Sequence, residues 1–93
     1  MNQPPRIFFL VESSGDYVQE VRGDQCTLLR PIAETAFQFR SKYAAEVVAW
    51  SVRGGKIATC LEIEGRPVRI LSIRPPSIHR GRLPAQVAPR WQN

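Results

Sequence analysis

The chain has 93 residues, 43% hydrophobic and 23% charged, with a formal net charge of +5. That length and balance fit one globular domain with a modest core, and they exclude a disordered chain over residues 7–73. No apolar run approaches the roughly 18 residues that span a bilayer, and the run at residues 7–11 is too short for a signal-peptide core of about 7–15 residues, so a cytoplasmic protein with no membrane partner is expected.

The charge is unevenly placed. Residues 1–64 carry 7 Lys and Arg against 8 Asp and Glu, a net −1, whereas residues 65–93 carry 6 Arg and no acid, a net +6. The excess therefore belongs to the last third of the chain, an asymmetry that suggests contact with something acidic. Cys26 and Cys60 lie far apart with no CxxC or Cys/His cluster. This fits reduced thiols on strands better than a disulfide framework or a zinc site, and no metal or cofactor is expected.

Taken in order, residues 1–5 carry two prolines and read as a frayed start. The continuous apolar run Ile7, Phe8, Phe9, Leu10, Val11 predicts a central strand covered on both faces. Turn residues follow at 13–16, then a second strand at 17–22. Gly23-Asp24 reads as a two-residue hairpin loop into residues 25–30, which would set Arg22 opposite Gln25, Val21 opposite Cys26 and Val18 opposite Leu29. The triplet Arg22-Gly23-Asp24 matches a cell-adhesion tripeptide, but without a secretion signal it reads as that hairpin turn. Pro31 stops the strand, and after a connector at 31–36 the rings of Phe37 and Phe39 are expected to alternate into the core and pin the helix start.

Residues 37–55 hold the single helix. Ser41 is a suitable N-cap, and Gly54 and Gly55 suit the left-handed position after the last turn. At about 100° per residue, Lys42, Glu46, Ala49 and Arg53 form a wet stripe; Tyr43, Ala44, Val47, Val48, Ser51 and Val52 form the dry one. Ala44 and Ser51 would let the helix lie close to the sheet, with Trp50 at the boundary beside Tyr43. Beyond it, Ile57, Thr59, Leu61 and Ile63 alternate with Ala58, Cys60, Glu62 and Glu64. A tight turn at Gly65-Arg66 would place Ile63 opposite Val68, Leu61 opposite Ile70 and Glu62 opposite Arg69. The expected fold is α+β: a small, mainly antiparallel sheet of three to five strands, one helix packed on a face, and an extended basic C-terminal tail. The domain should span residues 6–74, and the Pro/Arg-rich tail, residues 75–93, should be removable without unfolding it.

Reactive groups are few. His79, in the tail, is the one histidine, and the cysteines read as core. Glu62 and Glu64 share a strand face, where ion pairing with Arg66 and Arg69 is simpler than acid–base work. Arg53-Gly54-Gly55-Lys56 ends a helix, whereas phosphate loops open one. A non-enzymatic protein is expected, binding through Arg66, Arg69, Arg74, Arg80, Arg82 and Arg90 with Trp50 and Trp91 as apolar anchors. The segment at 74–82 reads equally as a nucleic-acid-binding arm or as a solubilising end. Phe8, Phe9, Phe37 and Phe39 all read as core, which leaves no aromatic basic sheet face for stacking bases and favours a protein surface as target.

The order in which FLVESSGDYVQEV is followed by AFQFRSKYAAEVVAW and a returning strand resembles small accessory proteins of bacteriophages and mobile elements, anti-CRISPR proteins among them. The resemblance covers residues 7–73, rests on a strand, turn, strand, aromatic-Arg-Ser-helix order, and carries over no functional residue; the basic tail is not part of the pattern. It implies an inhibitor that occupies a surface of a host protein or ribonucleoprotein complex, such as a CRISPR surveillance complex. The alternative is a small nucleic-acid-binding module acting through its arginine-rich last third.

Overall fold

A computed structural model describes residues 3–78. It contains β1 (Arg6–Ser13), β2 (Asp16–Arg22), β3 (Gln25–Arg30), α1 (Lys42–Trp50), β4 (Lys56–Glu62) and β5 (Arg69–Arg74). The strands form one sheet in the order β3-β2-β1-β4-β5, antiparallel at every pairing. The α+β expectation holds, with five strands and one helix.

β1 is the central strand, and each face of its apolar run meets its own core from Phe8 onward, while Ile7, expected to be covered, is exposed. On one face Phe9 and Val11 join Val18, Phe39, Ala45, Val48, Ala49, Val52 and Ile57. On the other, Phe8 and Leu10 meet Ala36, Ala58 and Cys60. Alternate side chains of a strand point to opposite faces, so α1 covers the first and the connector between β3 and α1 covers the second.

The connector also changes faces. β1 and β2 pair only next to their turn, at Glu12 with Tyr17 and Ser13 with Asp16. Beyond that the two strands part, and residues 37–39 fill the gap: the Phe37 N–H donates to the Val18 carbonyl (2.9 Å), while Phe9 and Phe39 exchange two backbone hydrogen bonds of 2.8 Å each. The chain thus passes from Ala36, in the core under the connector, to Phe39, in the core under the helix, through the plane of the sheet. Phe39 is buried as expected. Phe37 is not: its ring is exposed and lies 4.7 Å, centroid to centroid, from that of Phe39.

The β2–β3 register is the expected one, with Arg22 opposite Gln25, Val21 opposite Cys26 and Val18 opposite Leu29. Between these pairs Gln19 bulges from β2 and Thr27 from β3, two irregularities that cancel. The bulge frees the Gln19 amide to donate to the carbonyls of Tyr17, Arg30 and Ile32, and to accept from the Thr35 hydroxyl (2.5 Å). One side chain thereby ties the connector to the hairpin.

The β4–β5 register corrects the expectation. Thr59 pairs with Ser72 and Ala58 with Ile73, as a two-residue hairpin would require, but Cys60 then pairs with Ile70 and Leu61 with Arg69. Leu71 is an extra residue on β5, so the ladder slips by one toward a loop longer than a two-residue turn. Leu61 therefore does not face Ile70, nor Glu62 Arg69.

α1 begins as expected, with the Ser41 hydroxyl accepting from the Ala44 N–H at 3.2 Å. It ends at Trp50, with Ser51 as its C-cap. Gly55 lies so close to the last turn that a Cβ there would sit 2.3 Å from the Ala49 carbonyl oxygen. The buried stripe is turned by about one residue, roughly 100°, from the expected one: Ala45, Val48, Ala49 and Val52 meet the sheet, whereas Tyr43 and Ala44 are exposed. The physical reason is distance, since alanines rather than a tyrosine allow the helix to settle on Val11 and Ile57.

Glu46, expected in water, is 4% exposed. Its Oε2 accepts from the backbone N–H of Ser77 and from the Ser77 hydroxyl (2.6 Å). Pro75 and Pro76 have no N–H, so Ser77 carries the first donor after β5. Trp50 Nε1–H donates to the Ile78 carbonyl at 3.1 Å, so residues 77 and 78 both lie on α1 and belong to the packed unit that was expected to end at residue 74.

Glu46→Ala should therefore lower stability by about 1.5–3 kcal/mol, the range for hydrogen bonds to a charged group, and expose the Trp50 indole N–H to exchange. Truncation after Arg74 should cost more, because it removes the Trp50 indole bond to Ile78 together with both Ser77 bonds to Glu46. Adding Glu46→Ala to the truncated chain should cost little more, because the partner of the carboxylate is already gone. Equal melting temperatures for wild type and Glu46→Ala would refute the linkage, while Val48→Asp should unfold the domain whatever the fate of residues 75–78.

Candidate interaction surface

The sheet ends differently on its two sides. At the β3 edge the Cys26 N–H donates to the hydroxyl of Ser51 (3.1 Å), which itself donates to the Val48 carbonyl (2.6 Å), so the helix C-cap ties down the start of that edge. β5, the opposite edge, has no further strand beside it among the described residues. Its large apolar side chains are open: Ile70 is 44% exposed, Leu71 50% and Ile73 44%, with Val68 just before the strand at 45%.

Pairing assigns their directions, because residues opposite one another project from the same face. Ile70 pairs with Cys60 and Ile73 with Ala58, so both point to the connector side. Arg69 pairs with Leu61 and Arg74 with Ile57, so both point to the helix side. On the connector side a groove of about 510 Å³ lies inboard of the strand, over Phe8, Leu10 and Cys60, with Ala33, Glu34 and Gln38 of the connector and Glu62, Pro67, Val68 and Ile70 also lining it.

The carboxylates expected to pair with Arg66 and Arg69 turn toward the first strand instead. Glu62 Oε1 accepts from Arg6 Nε at 2.9 Å, with Arg6 Nη2 at 2.8 Å. Arg6 also donates to Gln38 Oε1 (2.8 Å) and lies over the Phe8 ring at 4.8 Å. Glu64 Oε2 accepts from the Gln3 N–H at 2.9 Å. Arg6–Glu62 is the one ion pair among the described residues, which leaves Arg66, Arg69 and Arg74 exposed with their charge uncompensated by a bonded acid.

Of the expected binding residues, Arg69 and Arg74 stand at the two ends of β5 on its helix side, and Arg66 is exposed in the loop before it. Arg80, Arg82, Arg90 and Trp91, with His79, lie outside the described residues. Trp50 is half-buried on α1, where its indole holds the segment after β5. The apolar members of the surface, Val68, Ile70, Leu71 and Ile73, escaped sequence reasoning, which placed Val68 and Ile70 only as cross-strand partners of Ile63 and Leu61 and assigned Leu71 and Ile73 no role.

Cys60 is buried in the core under the connector and Cys26 half-buried against the core under the helix, so the two thiols are free and on opposite faces. Burial raises the pKa of both, opposed in part at Cys26 by a backbone hydrogen bond at Leu28. Among the described residues no group of three or more His, Cys, Asp or Glu side chains comes together, and no helix is long and apolar enough to cross a membrane. In comparisons with known proteins, no family model, curated protein or solved structure matches the chain.

A thiol whose pKa is raised by folding keeps its proton when the unfolded chain has already lost it. Stability should thus be flat through neutral pH and fall as pH climbs past the ordinary thiol range. In native protein at neutral pH, iodoacetamide should modify Cys26 faster than Cys60, and both should react readily once the chain is unfolded. Equal native labelling rates would contradict the burial assigned to Cys60.

Proposed function

We propose that the protein is a non-enzymatic binder that acts by occupying an acidic surface on a larger protein or ribonucleoprotein assembly. The observation that carries this reading is the open edge strand β5, with the uncompensated Arg69 and Arg74 on its helix side, the exposed Ile70 and Ile73 on its connector side, and Arg66 and Val68 exposed just before it. Charge steers and orients an encounter, while apolar contact at the centre supplies most of the affinity. Blocking of this kind needs no reacting group. A CRISPR surveillance complex, the target class implied by the resemblance of the sequence, is an assembly of the required type.

One observation favours the second reading, direct binding of nucleic acid: the exposed Phe37 ring offers a face on which a base could stack. The two readings differ in salt dependence. Binding to free oligonucleotides would weaken linearly in log salt with a slope of about −0.7 to −0.9 per phosphate neutralised. A protein-surface binder loses affinity with apolar substitutions as much as with charge reversal.

Capture by the tagged full-length protein should survive nuclease treatment, and it should be lost in an Arg69→Glu/Arg74→Glu variant and in an Ile70→Ser/Ile73→Ser variant that melt as wild type does. Capture abolished by nuclease, with tight salt-sensitive binding to free oligonucleotides, would replace the proposal with the second reading.

A further inference from the structure

Resting on that reading, we infer that β5 is an acceptor edge for one extended segment of the partner, which adds to the sheet as a sixth strand and alternates apolar residues with Asp or Glu. An edge strand presents a row of backbone N–H and C=O groups that a strand from another chain can pair with. Arginines and a bulge on an edge also serve to deter such pairing. Deterrence alone, however, does not account for the exposed Ile70 and Ile73 on the other face.

The two faces state what the incoming strand must carry. On the connector side Ile70 and Ile73 continue the apolar floor formed by Phe8, Leu10, Ala58 and Cys60. A neighbouring strand would project its side chains on that face alongside Ile70 and Ile73, which are 44% exposed, so these should be aliphatic. On the helix side Arg69 and Arg74 carry no bonded acid among the described residues. Residues directly opposite them on the added strand should therefore be acidic, since opposite charges across a strand pair attract and like charges repel.

The same rule disfavours a second copy as occupant. In an antiparallel pair of β5 strands centred on the segment, Arg69 of each copy would face Arg74 of the other. The like-charge contact would occur twice in the symmetric dimer. Nucleic acid would use the arginines but would leave the exposed isoleucine face uncovered.

The test titrates the full-length protein with a capped synthetic peptide that alternates glutamate with isoleucine and valine. Two controls accompany it: a scrambled peptide of the same composition, and the same sequence with alternate backbone nitrogens methylated to remove its donors. Saturable binding is expected, with amide shifts centred on Val68 and on β5. Methylation of the peptide should weaken binding about tenfold or more, and so should Arg69→Glu/Arg74→Glu. Equal affinity for the methylated or scrambled peptide would overturn strand addition while leaving the broader binder untouched. Concentration-dependent dimers with the same β5 shifts would assign the edge to a second copy and overturn the inference. It would also fail if the peptide bound only after removal of residues 79–93, since the chain's own end would then occupy the edge.

Discussion

The fold depends on the backbone exchange between Phe9 and Phe39. β1, like β4 beside it, carries core residues on both faces, but its β2 side is hydrogen-bonded to β2 only near their shared turn. The two bonds to Phe39 satisfy Phe9 where β2 has moved away, and buried backbone groups left without partners are costly. They also fix the point at which the chain crosses the sheet. The connector can then shield Phe8 and Leu10 while the helix that follows shields Val11 and Ile57.

A second consequence concerns Glu46. A buried carboxylate is unfavourable unless it is hydrogen-bonded, and here its bonds come from Ser77, just after the last strand. The helix therefore has two layers, the sheet beneath and residues 75–78 beside it. Both Glu46 and the Trp50 indole work on that second side, which binds the exit of β5 to the body of the domain and leaves the apolar side chains of β5 on the opposite face uncovered.

Periodicity and turn chemistry made much of this architecture legible. The uninterrupted Ile7-Phe8-Phe9-Leu10-Val11 run identified a strand buried on both sides, Gly23-Asp24 fixed the first hairpin register, and Ser41 marked the helix start. What stayed hidden was set by distant partners. The rotation of the helix depended on how near Ala45 and Ala49 could come to β1. The burial of Glu46 depended on a serine thirty-one positions later, which no local pattern reveals. The bulge at Leu71 moved Arg69 opposite Leu61 even though the apolar and charged pairs agreed on a different register. At the candidate surface the arginines were visible as a charge asymmetry. The exposure of Ile70, Leu71 and Ile73 was not, because hydrophobic side chains in a strand are by default assigned inward.

The strand order has a mechanical corollary. β1 and β5 run in the same direction on either side of β4, with Arg6 at one end of the sheet, across from Glu62, and Arg74 at the other, across from Ile57. Tension applied between those two residues loads the ladders on both sides of β4 along the strands, so their hydrogen bonds resist together in shear, whereas the β2–β3 hairpin lies outside the line of force and carries none of it.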